Sequence, residues 1–395
     1  MAALGPPLPL ERSAKTLSFA GSRGPVSSAK VRDSLPNPGV PRGCPGPTTE
    51  TSKDFRLAPH IARWDLDKTY LRTEFDTLRD MVKTALERPD QKRTNPGAST
   101  LLREMVRAGI RVHILSGSPE QMRRRLEDKL RLDGVSWDSF TLKPNLQNLL
   151  RLRFRAVRDQ LGYKLPALLR ARARVTENGE AGATCRETLF GDDAEADAYV
   201  YSLYADVVAG RVTEEVLLRV LQRGRVYDDV VAEAMGAARS VAHADVIERI
   251  LIHLERQTPP DDFRAYGPRV VPFYNYLQAA FVLHEDERLG ADAVLRVAVE
   301  LVTEHRFDGD ALARSYLDLA RRGHVRGVRI DAIQAAVEAW IALGQLPARD
   351  ELCVMSARLP QFAETARTRF RALEQPLPDY VTMVRDHNAR TSRLV

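Results

Sequence analysis

Three short apolar runs, each ending in small or acidic residues and separated from the next by sequence of helical period, constrain this chain more than any other feature. "HIARWDLD" at 60–67, "IRVHILSGS" at 110–118 and "RETLFGDDAEAD" at 186–197 read as buried strands that run into polar ends. Between and after them, "TEFDTLRDMVKTALE", "PGASTLLREMVRAG", "PEQMRRRLEDKLRL", "YKLPALLRARAR" and "AYVYSLYADVVAG" carry apolar residues at helical spacing. Strands that alternate with helices pair in parallel through right-handed crossovers. Their carboxyl ends then open into one crevice, where such sheets bind ligands.

Composition narrows the class. With 44% hydrophobic and 28% charged residues the chain reads as an ordinary soluble protein, and 395 residues are enough for more than one core. No apolar run approaches the roughly 20 residues that span a bilayer. The net charge is only +6, but Met122 to Arg174 holds 14 Lys or Arg against 5 Asp or Glu. Such an excess suits an anionic substrate or a peripheral membrane contact. No motif for specific nucleic-acid binding accompanies it. Cys44, Cys185 and Cys353 lack ligand-like spacing and read as free thiols of a reducing, cytoplasmic compartment. Residues 1–53, rich in Pro, Gly and Ser, read as a disordered tail.

The polar strand ends make chemical sense together. The first offers Asp65 and Asp67, the second Ser116, the third Asp192, Asp193 and Asp197. Side chains alternate along an extended strand, so Asp65 and Asp67 share a side if the strand continues unbroken. One carboxylate can then attack phosphorus while its neighbour handles protons. The carboxylates of the third strand can hold Mg²⁺, an ion that prefers oxygen ligands and a substrate phosphate. A lysine completes this equipment for phosphoryl transfer.

In order, these residues resemble the four motifs of the haloacid dehalogenase-like (HAD) hydrolase superfamily: Asp65, Asp67 and Thr69; Ser116; Lys164, with Lys143 as the alternative lysine; and "GDDAEAD". The resemblance implies a Rossmannoid parallel sheet with a minimal cap over residues 54–211. It implies Asp65 as nucleophile, Asp67 as general acid and base, and Lys164 as the neutralising lysine. Ser116, Gly117 and Thr69 would bind phosphate, and Asp65, Asp67, Asp192, Asp193 and Asp197 would surround Mg²⁺. An aspartate two after the nucleophile is the phosphatase pattern, because an alkoxide leaving group needs a proton. The spacing of the last motif resembles the phosphatidate phosphatase branch of actin-patch-associated and lipin-like enzymes, although Lys68 stands where that branch has an acidic residue.

From residue 212 to 375 the pattern reads as an all-helical domain, including "ADVIERILIHLERQ" and "FYNYLQAAFVLHED", followed by a C-terminal tail over 376–395. The expected function is a Mg²⁺-dependent phosphatase that hydrolyses a phosphate monoester through an aspartyl phosphate, with phosphatidate or another bulky anion as substrate. The competing class is a scaffold that binds a phosphorylated ligand without hydrolysing it.

Overall fold

The computed structural model describes residues 59–71, 93–143, 157–177, 184–344, 347–370 and 377–393. Six parallel strands form one sheet in the order β3-β2-β1-β4-β5-β6. They are β1 (His60–Asp65), β2 (Arg111–Pro119), β3 (Ser139–Lys143), β4 (Arg186–Asp192), β5 (Ile247–His253) and β6 (Val270–Phe273). The chain winds outward from β1 to β3, then returns to place β4 beside β1 and continues the other way. The direction therefore reverses between β1 and β4, and a crevice opens there at their carboxyl ends.

Alternation along the strands feeds two cores. Ala62, Trp64, Phe190 and Leu251 point to one face, where Trp64 stacks on Phe190 with centroids 3.9 Å apart. Leu189, Ile250 and Ile252 point to the other. The first face is covered by α1 (Ala98–Arg107), α2 (Arg123–Leu132) and a series of later helices. These are α7 (Tyr276–Glu285), α8 (Ala291–His305), α9 (Gly309–Arg322), α10 (Ile330–Ala342), α11 (Arg349–Arg358) and α12 (Pro360–Arg369). The second face is covered by α3 (Val157–Glu177), α4 (Asp197–Val208), α5 (Glu214–Arg223), α6 (Asp228–Arg239) and α13 (Tyr380–Arg393). Side-chain caps start several of them: Thr213 accepts from Val216 N, Asn275 from Gln278 N and Asp308 from Ala311 N.

The α/β class and the helical C-terminal region agree with the sequence reading, but three details do not. The segment "ADVIERILIHLERQ" is not a helix; its centre is β5, hydrogen-bonded to β4 on one side and β6 on the other. Its β-branched run Ile247, Ile250 and Ile252 is buried in a strand between two neighbours, where apolar residues on both faces mimic a buried helix. With β5 and β6 in the sheet and α7 to α12 sharing a core with β1 and β2, the boundary expected at 211/212 does not separate compact units; Arg56–Val395 is one unit. The expected C-terminal tail also contains α13, anchored by buried Tyr380 and Val384, with the Tyr380 hydroxyl donating to Asp206 Oδ2 over 2.5 Å. The tail over 1–53, the helix over 73–87 and the basic residues Arg151, Arg153 and Arg155 lie outside the described residues, as do 72–92 and 144–156, on which the minimal cap depends.

Candidate active site

Asp65 ends β1 and Asp192 ends β4, on either side of the point where the winding reverses. Both side chains are fully buried, and the Thr69 hydroxyl lies 3.4 Å from Asp65 Oδ2 and 3.4 Å from Asp192 Oδ2. Asp197 opens α4 behind them, and its Oδ2 accepts the Asp192 amide at 3.2 Å. That approach requires Gly191, because a Cβ there would sit 2.5 Å from Asp197 Oδ2. Ligand oxygens of Asp65, Asp192 and Asp197 lie within 4.8 Å of one another. Lys164, on α3, places its buried ammonium 3.4 Å from Asp65 Oδ1, 3.0 Å from Glu195 Oε2 and 2.5 Å from Asp197 Oδ1.

The electrostatics follow from this crowding. Burial raises the affinity of Asp65 for a proton, Lys164 opposes it, and Asp197, Glu195 and Asp192 add to it, so the carboxyl stands well above its ordinary range. Burial together with Asp197 and Glu195 pushes Asp192 up in the same way. Asp197 is pushed up to about 6, by burial first, with Lys164 pulling against it. Burial alone would discharge Lys164, but Asp197, Asp65 and Glu195 overcome it and hold the ammonium charged. A gathering of carboxylates that one lysine does not neutralise, with Asp65 Oδ1 accepting no hydrogen bond among the described residues, fits a hard divalent cation with oxygen ligands.

The loop after β1 turns Asp67 away from this group. Its Oδ2 accepts from both Ser116 Oγ and Ser118 Oγ, each over 2.8 Å. The turn is tight: Thr69 N donates to Asp67 O at 2.7 Å, and Lys68 adopts a left-handed φ of 59°. Such a conformation costs a residue with a side chain on the order of 1–3 kcal/mol. The loop is held from outside, since Asn95 Nδ2 donates to Lys68 O at 3.0 Å and to Thr69 O at 2.8 Å, and the Tyr276 hydroxyl of α7 donates to Thr69 O. Pairing between β2 and β3 shifts register between Leu115 and Pro119, which releases Ser116, Gly117 and Ser118 from the ladder. A Cβ on Gly117 would meet open space, so packing does not demand glycine there.

Of the residues singled out in the sequence, Asp65, Thr69, Lys164, Asp192 and Asp197 come together, and Asp67 and Ser116 meet beside them. Asp193 does not join the acidic group: its oxygens accept the amides of Arg256 at 2.8 Å and Thr258 at 3.0 Å, which fastens the loop after β5. Ser116 lies within β2, which continues to Pro119, and α2 starts only at Arg123. Of the two candidate lysines, Lys164 reaches Asp65, whereas the Lys143 ammonium lies 5.4 Å from the centre of the Tyr163 ring. Glu195, inside the acidic motif itself, was legible as acidic but not as a partner of Lys164. Asn95 and Tyr276 carried no sequence signal, since their role depends on distant backbone carbonyls.

Searches of family models, of curated proteins and of solved structures returned no match to this chain. Among the described residues no helix is long and apolar enough to cross a membrane.

Proposed function

We propose that the protein is a Mg²⁺-dependent phosphatase of the HAD type that hydrolyses a phosphate monoester through an aspartyl phosphate on Asp65. The observation that carries this reading is the buried Asp65 carboxylate at the reversal of the sheet, 3.4 Å from the Lys164 ammonium and grouped with Asp192 and Asp197. Asp65 and Asp192, with Asp197 behind, are the residues that would hold Mg²⁺, whose charge offsets the repulsion between carboxylate and phosphate.

An Asp65 oxygen attacks phosphorus as the ester P–O bond breaks, and Asp67 gives its proton to the departing alkoxide. Asp67, now a carboxylate, takes a proton from a water that attacks the same phosphorus. The bond from phosphorus to Asp65 then breaks, phosphate leaves and both aspartates are restored. Lys164 remains beside Asp65 throughout, where it draws charge from the transferring group. The substrate class that suits the reading is a bulky phosphorylated anion, phosphatidate among them, met in the cytoplasm or at a membrane surface. The described basic residues support surface attraction weakly, because Arg123 pairs with Glu120 and Glu127, and Arg131 with Glu127 and Asp128.

The test is phosphate release from 4-nitrophenyl phosphate with Mg²⁺. Asp65→Asn should lower the rate by about a thousandfold or more while the fold persists, and a chelator should silence the wild type. Unchanged release from Asp65→Asn would end the proposal. Binding of phosphate esters by the wild type without any release would favour the scaffold instead.

A further inference from the structure

Ser116 faces two demands in the reaction proposed above. A serine hydroxyl has one proton to donate. In the structure Ser116 Oγ spends it on Asp67 Oδ2 at 2.8 Å, while accepting the Ser118 amide at 3.0 Å. An incoming phosphoryl oxygen would need that same proton, and Asp67 would lose its partner as the proton transfer begins. Ser118 Oγ already donates to the same oxygen, also at 2.8 Å, and the side chain is buried. The Ser-Gly-Ser spacing puts the two hydroxyls on one side of an extended stretch. Tyr163 fixes the base of the arrangement through its hydroxyl on Ser116 O at 2.8 Å.

We propose that Ser118 is a positioning residue for Asp67: it holds Asp67 Oδ2 when Ser116 turns to the phosphoryl group, so that Oδ1 carries the proton to the leaving group. The inference rests on the phosphatase reading. Both serines bind the same carboxylate oxygen, and no hydrogen bond is made to Oδ1 among the described residues. Ser116 is thus free to change partner without releasing the acid.

The experiment compares phenyl phosphate, whose leaving group needs a proton, with 4-nitrophenyl phosphate, whose leaving group needs little help. The comparison is made on kcat/KM, which covers the steps through departure of the leaving group and not the hydrolysis of the aspartyl phosphate that both esters share. Ser118→Ala should lower kcat/KM on phenyl phosphate about tenfold and change kcat/KM on the nitrophenyl ester less than about twofold, the loss of one hydrogen bond to a charged group felt in protonation of the leaving group. Inhibition by inorganic phosphate should stay at the wild-type level in Ser118→Ala and weaken in Ser116→Ala. Ser118→Thr, which keeps the hydroxyl, should restore the phenyl phosphate rate. An equal loss on both esters, or weaker phosphate inhibition in Ser118→Ala, would overturn the positioning role while leaving the phosphatase intact. If Asp67→Asn hydrolyses both esters at the wild-type rate, or the wild type hydrolyses neither, the underlying phosphatase reading has failed and the inference goes with it.

Discussion

Two buried charge clusters sit on the same two strands and differ in almost every respect. At the carboxyl ends of β1 and β4, Asp65, Asp192, Asp197 and Glu195 surround one lysine. Two residues earlier on β1, Arg63 meets Glu187 of β4 in a bidentate pair at 2.6 and 2.8 Å, with Arg172 Nη1 at 3.3 Å and the Tyr204 hydroxyl at 2.8 Å. Burial would raise Glu187, but Arg63 and Arg172 outweigh it and hold the carboxyl at about 2, whereas the carboxyls at the strand ends are driven up. Each Glu187 oxygen accepts from two donors. In the lower cluster the carboxylate is fully paired within the protein, whereas the carboxylates of the upper one could hold a further cation. Burial of charge thus says little about function until its partners are counted.

The same isosteric change should break the two clusters in opposite ways. Asp65→Asn removes a carboxylate from a crowded site, so the metal-free protein should melt at the wild-type temperature or above while turnover disappears. Glu187→Gln leaves two buried guanidinium groups uncompensated and should cost about 3–5 kcal/mol in chemical denaturation. A Glu187→Gln variant as stable as the wild type would remove the contrast.

Acid should sharpen the picture in two stages. Burial, with Arg288 nearby, pushes His60 down to about 3, even though Glu248 lies 3.7 Å from its Nδ1. Burial and Arg63 push His113 to about 4. Both rings fold neutral, so their contribution is complete above the unfolded value of about 6.5 and is lost as pH falls toward 4 and 3. Glu187 follows: its contribution is complete above about 4.5 and is lost as pH falls toward 2. Denaturation midpoints should therefore decline from pH 7 to pH 5, by up to about 1.4 kcal/mol per pH unit for His60. His60→Gln should roughly halve the slope of that first stage, leaving the part due to His113, and leave the second stage unchanged; an undiminished slope in the variant would show that His60 takes up its proton while folded.

The smallest effect concerns the link between the C-terminal helices and the loop after β1. Tyr276→Phe removes one of two donors on Thr69 O, Asn95 supplying the other. Stability should fall by about 1 kcal/mol and turnover by less than about tenfold. A loss of activity as complete as in Asp65→Asn would mean that α7 controls the loop far more than one shared carbonyl implies.

Local pattern carried the strands that begin and organise the sheet. β1, β2 and β4 each combine an apolar run with a polar end, and that combination also marked Asp65, Ser116 and Asp192. β3 escaped because Ser139–Lys143 is short and half-buried at the sheet's edge. β5 reads as helix in the sequence because an apolar run buried on both faces has no period that distinguishes the two. The same ambiguity made 212–375 look like an independent helical domain.

What the sequence alone determined was the chemistry on offer: alternating elements, carboxylates at strand ends, a serine and a lysine in order. What the tertiary structure decided was which of those groups meet. Asp192 and Asp193 are neighbours in the chain, yet one faces Thr69 and the other holds the amides after β5. Asn95 and Tyr276, distant in sequence, converge on one carbonyl. Side-chain direction at a strand end depends on the hydrogen bonds that close the following turn, and their donors come from elements brought together only when the sheet and its helices pack.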